Sequence, residues 1–90
     1  MQSVDRPYEV VVAPATQRQI RKLPRQVQPD LVARARELAV DPRGHRVKKL
    51  VGRPEWRATV GDYRIIYLIN DGAREVVITV VAHRREVYDR

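Results

Sequence analysis

The hydrophobic pattern changes period twice along the chain. Residues Tyr8-Glu9-Val10-Val11-Val12-Ala13 form a short β-branched run ended by Pro14, which predicts a strand. From Ala15 to Leu23, Thr16, Ile20 and Leu23 share one side while Gln17, Arg18, Arg21 and Lys22 occupy the remainder. That spacing predicts a helix, stopped by Pro24. A second helix follows from the recurrence of Val27, Leu31, Ala35 and Leu38 in a stretch rich in Ala, Leu, Arg and Glu. Pro29 fits only its first turn, where the missing N–H is no loss, and Asp41-Pro42 terminates it. Two helices joined so closely make a hairpin whose apolar sides need cover.

The second half of the chain supplies that cover. Residues 55–60, 63–70 and 74–83 are β-rich runs separated by Gly61-Asp62 and Asp71-Gly72, both strong turn signals. The expected fold is α+β in the order βααβββ, a helical hairpin on one face of a four-stranded, largely antiparallel sheet. Two-residue turns set Trp56 opposite Tyr67 and Tyr67 opposite Val76. In that register Trp56, Ala58, Val60, Tyr63, Ile65, Tyr67, Val76, Ile78 and Val80 face the helices. Arg57, Thr59, Arg64, Thr79 and His83 then share the outer face with Ile66, Leu68, Val77 and Val81. Cationic and aliphatic groups so mixed point to a basic pocket near the strand ends and an apolar strip to be covered by the C-terminal tail or a partner.

Ninety residues make one small domain; residues 1–7 are expected to form a poorly ordered N-terminus and 8–90 the domain. The chain has no cysteine and only two histidines, 38 positions apart, which excludes a disulfide framework, a zinc-thiolate site and a thiol nucleophile. The absence of a long apolar run or an apolar leader makes a cytoplasmic protein the expectation, with no membrane partner. Charge changes the picture more. Eighteen Lys and Arg against eleven Asp and Glu give +7, and Lys22, Lys48 and Lys49 are the only lysines, leaving fifteen arginines. Residues 41–60 carry six positive and two negative charges, whereas residues 61–90 carry five of each. Arg43, Arg46, Lys48, Lys49 and Arg53 lead into Arg57, a block rich in the planar guanidinium fork that suits phosphate.

The closing segment His83-Arg84-Arg85-Glu86-Val87-Tyr88 adds an imidazole and a phenol to the arginines. Each has an ordinary structural role open to it: a capped strand-end histidine, a tyrosine anchoring a tail, an arginine paired with Glu86 or Asp89. Together, converging at one sheet end, they match the needs of RNA cleavage through the 2′-hydroxyl. That reaction needs a proton acceptor, stabilisation of an anionic phosphorane and help for the departing 5′-oxygen, with no metal or other cofactor.

The element order, with Leu23-Pro24, Asp41-Pro42-Arg43, Lys48-Lys49-Leu50-Val51-Gly52, Trp56-Arg57, Gly61-Asp62-Tyr63-Arg64-Ile65-Ile66-Tyr67 and the closing His83–Tyr88 block, resembles the RelE toxins of the RelE/ParE toxin-antitoxin superfamily. The likeness spans about residues 8–88 and implies a fold similar to microbial ribonucleases. It further implies a type II toxin acting as a ribosome-dependent, metal-independent mRNA endonuclease that inhibits translation. By the same resemblance Arg64 stabilises phosphate, Arg84 stabilises charge or donates a proton, and Tyr88 orients or activates the 2′-hydroxyl. Arg57 stands where the family prototype has the first of two lysines, and Thr59 replaces the second. The general base is left between His83 and Tyr88. Arg43, Arg46, Lys48, Lys49 and Arg53 are the expected contacts with ribosomal RNA. The expected partners are a cognate acidic antitoxin, the ribosome and mRNA, with operator DNA reached only through the antitoxin complex. Two other functions fit the same chain: a ParE-like DNA gyrase inhibitor without nuclease activity, and an inactive toxin that only binds its antitoxin.

Overall fold

The computed structural model describes residues 6–87. The expectations for residues 1–5 and for Tyr88 lie outside the described residues. The strand β1 (Glu9–Val12) leads into the helix α1 (Pro14–Arg21), with Pro14 at its N-terminus, where a missing N–H costs nothing. A single 3₁₀ turn (Arg25–Val27) connects it to α2 (Gln28–Val40). Four further strands follow: β2 (Val47–Lys49), β3 (Trp56–Val60), β4 (Tyr63–Asn70) and β5 (Glu75–His83), with a 3₁₀ turn over Arg84–Glu86. The sheet order is β1-β5-β4-β3-β2, parallel between β1 and β5 and antiparallel elsewhere. Among the described residues no helix is long and apolar enough to cross a membrane.

The α+β class and the element order agree with the sequence, but the sheet has five strands rather than four. The additional strand pairs Val47 with Ala58, Lys48 with Arg57 and Lys49 with Trp56. Two consecutive lysines obscure its alternation, and lysine is also what a short exposed edge strand carries to discourage pairing with other chains.

The first hairpin has the expected register, Trp56 opposite Tyr67, across a two-residue turn in which Gly61 takes φ 56°. The second hairpin departs from expectation. Asn70 pairs with Glu75, leaving a four-residue connection over 71–74, so Tyr67 lies opposite Ile78 rather than Val76. The connection is closed by the Ala73 amide donating to Asn70 Oδ1 at 3.0 Å and the Arg74 amide donating to the Asp71 carbonyl at 3.3 Å. Arg74, not Gly72, takes the left-handed conformation, at φ 52°. A displacement of two residues preserves the faces of Val76 and Ile78. The register then slips once more between Ile66 and Tyr67, which pair with Val80 and Ile78 and leave Thr79 as a bulge. One extra residue reverses the alternation beyond it. Val80 therefore lies on the outer face, opposite to expectation, while Val81 and His83 lie on the helix side with Ile65 and Tyr63.

Leu31, Leu38, Ala58, Ile65, Tyr67, Val76, Ile78 and Val81 form the buried cluster between hairpin and sheet. Leu38 is fully buried, so Leu38→Ala removes its side-chain contacts and leaves a cavity. Urea unfolding should show a loss of about 2–5 kcal/mol.

Candidate functional site

The segment between α2 and β2, which carries Arg43 and Arg46, is held from beneath by two buried groups. Arg34 sits on the apolar stripe of α2 between Leu31 and Leu38 and is only 7% exposed. Its Nε donates to the Thr59 carbonyl at 3.3 Å, Nη1 to Glu37 Oε1 at 2.8 Å, and Nη2 to the carbonyls of His45 and Arg46 at 2.9 and 3.1 Å. The Tyr67 hydroxyl, inside the core, donates to the Pro42 carbonyl at 2.6 Å, and burial pushes its pKa up to about 12. One guanidinium thus spans α2, β3 and the loop, satisfying carbonyls that have no ladder partner. The sequence did carry a signal for this role: an arginine at a core-facing position of the helical stripe.

On the outer sheet face, alternation groups Lys48, Arg57, Thr59 and Arg64. Lys48 pairs with Arg57 across β2 and β3, and Thr59 pairs with Arg64 across β3 and β4. Arg57 and Arg64 are therefore diagonal neighbours on one face, within reach for long side chains. Both are half-buried. Beside them Ile66 and Leu50 are buried at 4% and 5% exposure, although they lie outside the main cluster. Leu50, Arg53, Ile66, Val80, Glu86 and Val87 surround a cavity of about 270 Å³. The loop before β3 and the tail after β5 therefore cover part of the apolar strip, with cations at its margin.

The tail leaves the sheet at its Arg64 end. Ala82 pairs with Arg64, and the Arg84 amide donates to the Asp62 carbonyl at 2.8 Å. The Arg84 side chain lies 3.8 Å from Asp62 Oδ1, a loose ion pair with both groups more than half exposed. Asp62 is thus a positioning residue that sequence reading treated only as a turn former. His83 pairs with Tyr63, its ring meeting the Tyr63 ring edge-on at 5.4 Å and 76°. It does not share the face of Arg57 and Arg64, because the Thr79 bulge reverses the alternation before it is reached. Tyr88 lies outside the described residues. Among the described residues no three His, Asp or Glu side chains gather into a possible metal site.

The basic block is not one patch. Arg43 turns away from the outer face and makes a two-pronged ion pair with Asp71, at 3.1 and 2.9 Å, while stacking 5.7 Å from the Trp56 ring. Tyr8 donates to the same carboxylate at 2.5 Å. The Arg43 and Tyr8 hydrogen bonds hold the Asp71 pKa down to about 2. Arg53 pairs with Glu55 at 3.2 Å and lowers its pKa, and Lys49 donates to the Arg53 carbonyl at 2.6 Å. Arg46, in the left-handed region at φ 57°, lines a cleft of about 230 Å³ with Arg34, Glu37 and Thr59. Of the five, Lys48 joins the Arg57 face and Arg53 borders the cavity beside it.

Comparison with known proteins adds to this geometry. Residues 10–88 match the family model described as the ParE toxin of the type II toxin-antitoxin system, parDE. No curated protein matches. Among solved structures, the toxin-antitoxin complex RelBE2 from Mycobacterium tuberculosis contains a chain 30% identical to this one, covering 94% of this chain and 100% of its own at a TM-score of 0.81. The archaeal RelE-RelB complex from Pyrococcus horikoshii matches at 24% identity, 90% and 99% coverage and a TM-score of 0.78. The intact RelBE complex of E. coli matches at 24% identity, 84% and 95% coverage and a TM-score of 0.76. The last two likenesses concern the fold.

Two outcomes follow from the hydrogen bonds. Arg34→Ala leaves the Thr59, His45 and Arg46 carbonyls without their donor. Chemical unfolding should register a loss of about 2–4 kcal/mol, and amide exchange should rise in residues 43–46 before it rises in β4 and β5. Asp71, whose folded pKa is depressed, stabilises the fold above its unfolded pKa and loses that contribution as pH falls toward about 2. In an NMR titration Arg43→Ala should return the Asp71 carboxyl toward the usual carboxylate range.

Proposed function

The chain belongs to the ParE toxin family of type II toxin-antitoxin systems, within the RelE/ParE superfamily, and on that footing we propose that it is a ribosome-dependent mRNA endonuclease. The observation that carries this reading is the convergence at one end of the outer sheet face. Arg57 and Arg64 are diagonal neighbours there, and the tail beginning at Arg84 is tied to the turn immediately before β4.

In the proposed reaction the 2′-oxygen of one nucleotide attacks the adjacent phosphorus. The 2′-O–P bond forms and the P–O5′ bond breaks, leaving a 2′,3′-cyclic phosphate and a free 5′-hydroxyl. Negative charge grows on the phosphoryl oxygens at the phosphorane, and Arg64, assisted by Arg57, stabilises it there with charged N–H donors. Arg84, at the sheet end, stabilises charge on the departing 5′-oxygen. A guanidinium does this by hydrogen bonding, since it keeps its proton at any physiological pH, and the departing 5′-oxygen takes its proton from solvent water. The 2′-hydroxyl proton must pass to a base, and Tyr88, acting as its phenolate, is the preferred acceptor because His83 projects from the other side of the sheet.

Lys48 extends the reactive face toward RNA, and Arg46 offers a second cationic contact on the neighbouring loop. Arg43, Lys49 and Arg53 contribute to the ribosome-facing potential while also holding Asp71, the Arg53 carbonyl and Glu55, respectively. The proposed partner outside translation is an acidic antitoxin that neutralises the same charge, bringing operator DNA to the complex. The likeness to chains from RelBE complexes supports that partner, and the protein's place of action is the cytoplasm.

A second reading is inhibition of DNA gyrase, favoured by the ParE description of the matching family model. A ribosome-containing translation reaction separates the two when supercoiling by gyrase is assayed beside it. Wild-type protein should cut mRNA and leave supercoiling intact, and Arg64→Ala should reduce cleavage by about a hundredfold or more without altering the thermal melt. Inhibited supercoiling with intact mRNA would reverse the assignment, and full cleavage by the folded Arg64→Ala variant would remove Arg64 from the site.

A further inference from the structure

His83 lies two residues from Arg85 and adjoins Arg84, but its imidazole is engaged elsewhere. Its backbone, at φ −60° and ψ 143°, occupies the N-cap position of the Arg84–Glu86 turn, and its Nδ1 accepts the Arg85 amide at 3.2 Å. Accepting that bond requires a lone pair on Nδ1, so the ring proton of the neutral imidazole is on Nε2. The only nitrogen able to take a further proton is the one already holding the backbone. Edge-on contact with Tyr63 fixes the ring from the other side, and the adjacent Arg84 amide is tied to the Asp62 carbonyl. These three contacts surround the single step at which the chain stops being strand and becomes tail.

We propose that His83 is a positioning residue: through its Nδ1 it caps the turn that aims residues 84–87 across the outer face. It acts on the reaction through the placement of Arg84 and of residues 85–87, not by accepting the substrate proton. The consequence for RNA cleavage rests on the nuclease reading given above; the cap itself does not.

The two roles respond differently to one substitution. The side-chain oxygen of asparagine can take the place of Nδ1 as a cap acceptor, and asparagine is among the best N-cap residues, yet it is useless as a general base near neutral pH. Alanine supplies neither. The experiment compares wild type, His83→Asn and His83→Ala as full chains. Arg85 amide exchange is read by NMR in the free protein, and single-turnover cleavage of ribosome-bound mRNA is followed from pH 5.5 to 8.5. Wild type and His83→Asn should protect the Arg85 amide alike, while His83→Ala should lose roughly fivefold in protection, the size of a typical N-cap loss. Cleavage by His83→Asn should stay within about threefold of wild type with the same pH profile, since a lost general base would cost about a hundredfold or more.

If His83→Asn were as defective as His83→Ala and lost the acidic limb of the profile, His83 would be the proton acceptor and the proposal would fall. Unchanged Arg85 exchange in His83→Ala would overturn the cap directly. Should wild type cut no mRNA at all, the nuclease reading would fail, and Arg85 exchange would still decide whether His83 holds the tail. His83→Asn also guards against misreading a folding defect, because it keeps a polar planar group beside Tyr63.

Discussion

The Thr16 hydroxyl donates to the Thr79 carbonyl at 2.6 Å, and the Gln19 side chain accepts the Val81 amide at 3.1 Å. These two bonds, made from one side of α1, answer backbone groups of β5 beyond Ile78, where pairing with β1 has ended, one of them on the bulge residue itself. Thr79 bends back as well, its own hydroxyl donating to the Ile66 carbonyl at 3.3 Å. The bulge and the helix therefore stabilise one another. Without polar groups at positions 16 and 19, the displaced backbone would be buried without partners, at a cost of about 1–3 kcal/mol per group. With them, β5 can change faces midway. Val76 and Ile78 enter the core from one half of the strand and Val81 from the other, while Val80 is released to the outer face beside Ile66.

The same change of face separates two tasks at the end of β5. An unbroken strand would keep His83 on the face of Arg64, with Val81 directly opposite Arg64; the bulged strand turns His83 to the side of Tyr63 and brings Ala82 opposite Arg64. Ala82 places only a methyl group opposite Arg64. His83, on the other side, becomes the group that turns the chain. Its neighbours Asp62 and Arg84 complete the corner through a backbone hydrogen bond and a long ion pair.

The other end of the molecule shows how a strongly basic chain organises its own charge. Asp71 gathers Tyr8 and Arg43, and Arg74 stacks 4.4 Å from the Tyr8 ring while donating to the Arg6 carbonyl. The N-terminal strand, the loop after α2 and the second hairpin meet at that carboxylate. Arg34 and Tyr67 do the corresponding work inside, each donating to the backbone of the loop that carries Arg43. Arginines counted together as a phosphate-seeking block thus divide into groups that brace the loops and groups that remain on the outer sheet face. Net charge governs attraction at long range; the local carboxylates decide which cations are committed to the fold.

The hydrophobic period determined the helices, the three long strands, the first hairpin and the core residues Leu31, Leu38, Ala58, Ile65, Tyr67, Val76 and Ile78, because burial of one face imposes a repeat that local sequence records. It also placed Arg57 and Arg64 on one face, since their hairpin has a turn of fixed length. The family was legible in the residues around Tyr63–Tyr67 and His83–Val87. What escaped the sequence depends on groups distant along the chain. The bulge at position 79 is met by Thr16 at the Thr79 carbonyl and by Gln19 at the Val81 amide, each more than sixty residues away. The strand at Val47–Lys49 exists because β3 offers it an edge, and Arg34 is buried because His45, Arg46 and Thr59 present carbonyls to it. A turn lengthened by two residues preserves every face and a bulge of one reverses them, so the side on which His83 stands was decided only by tertiary hydrogen bonding.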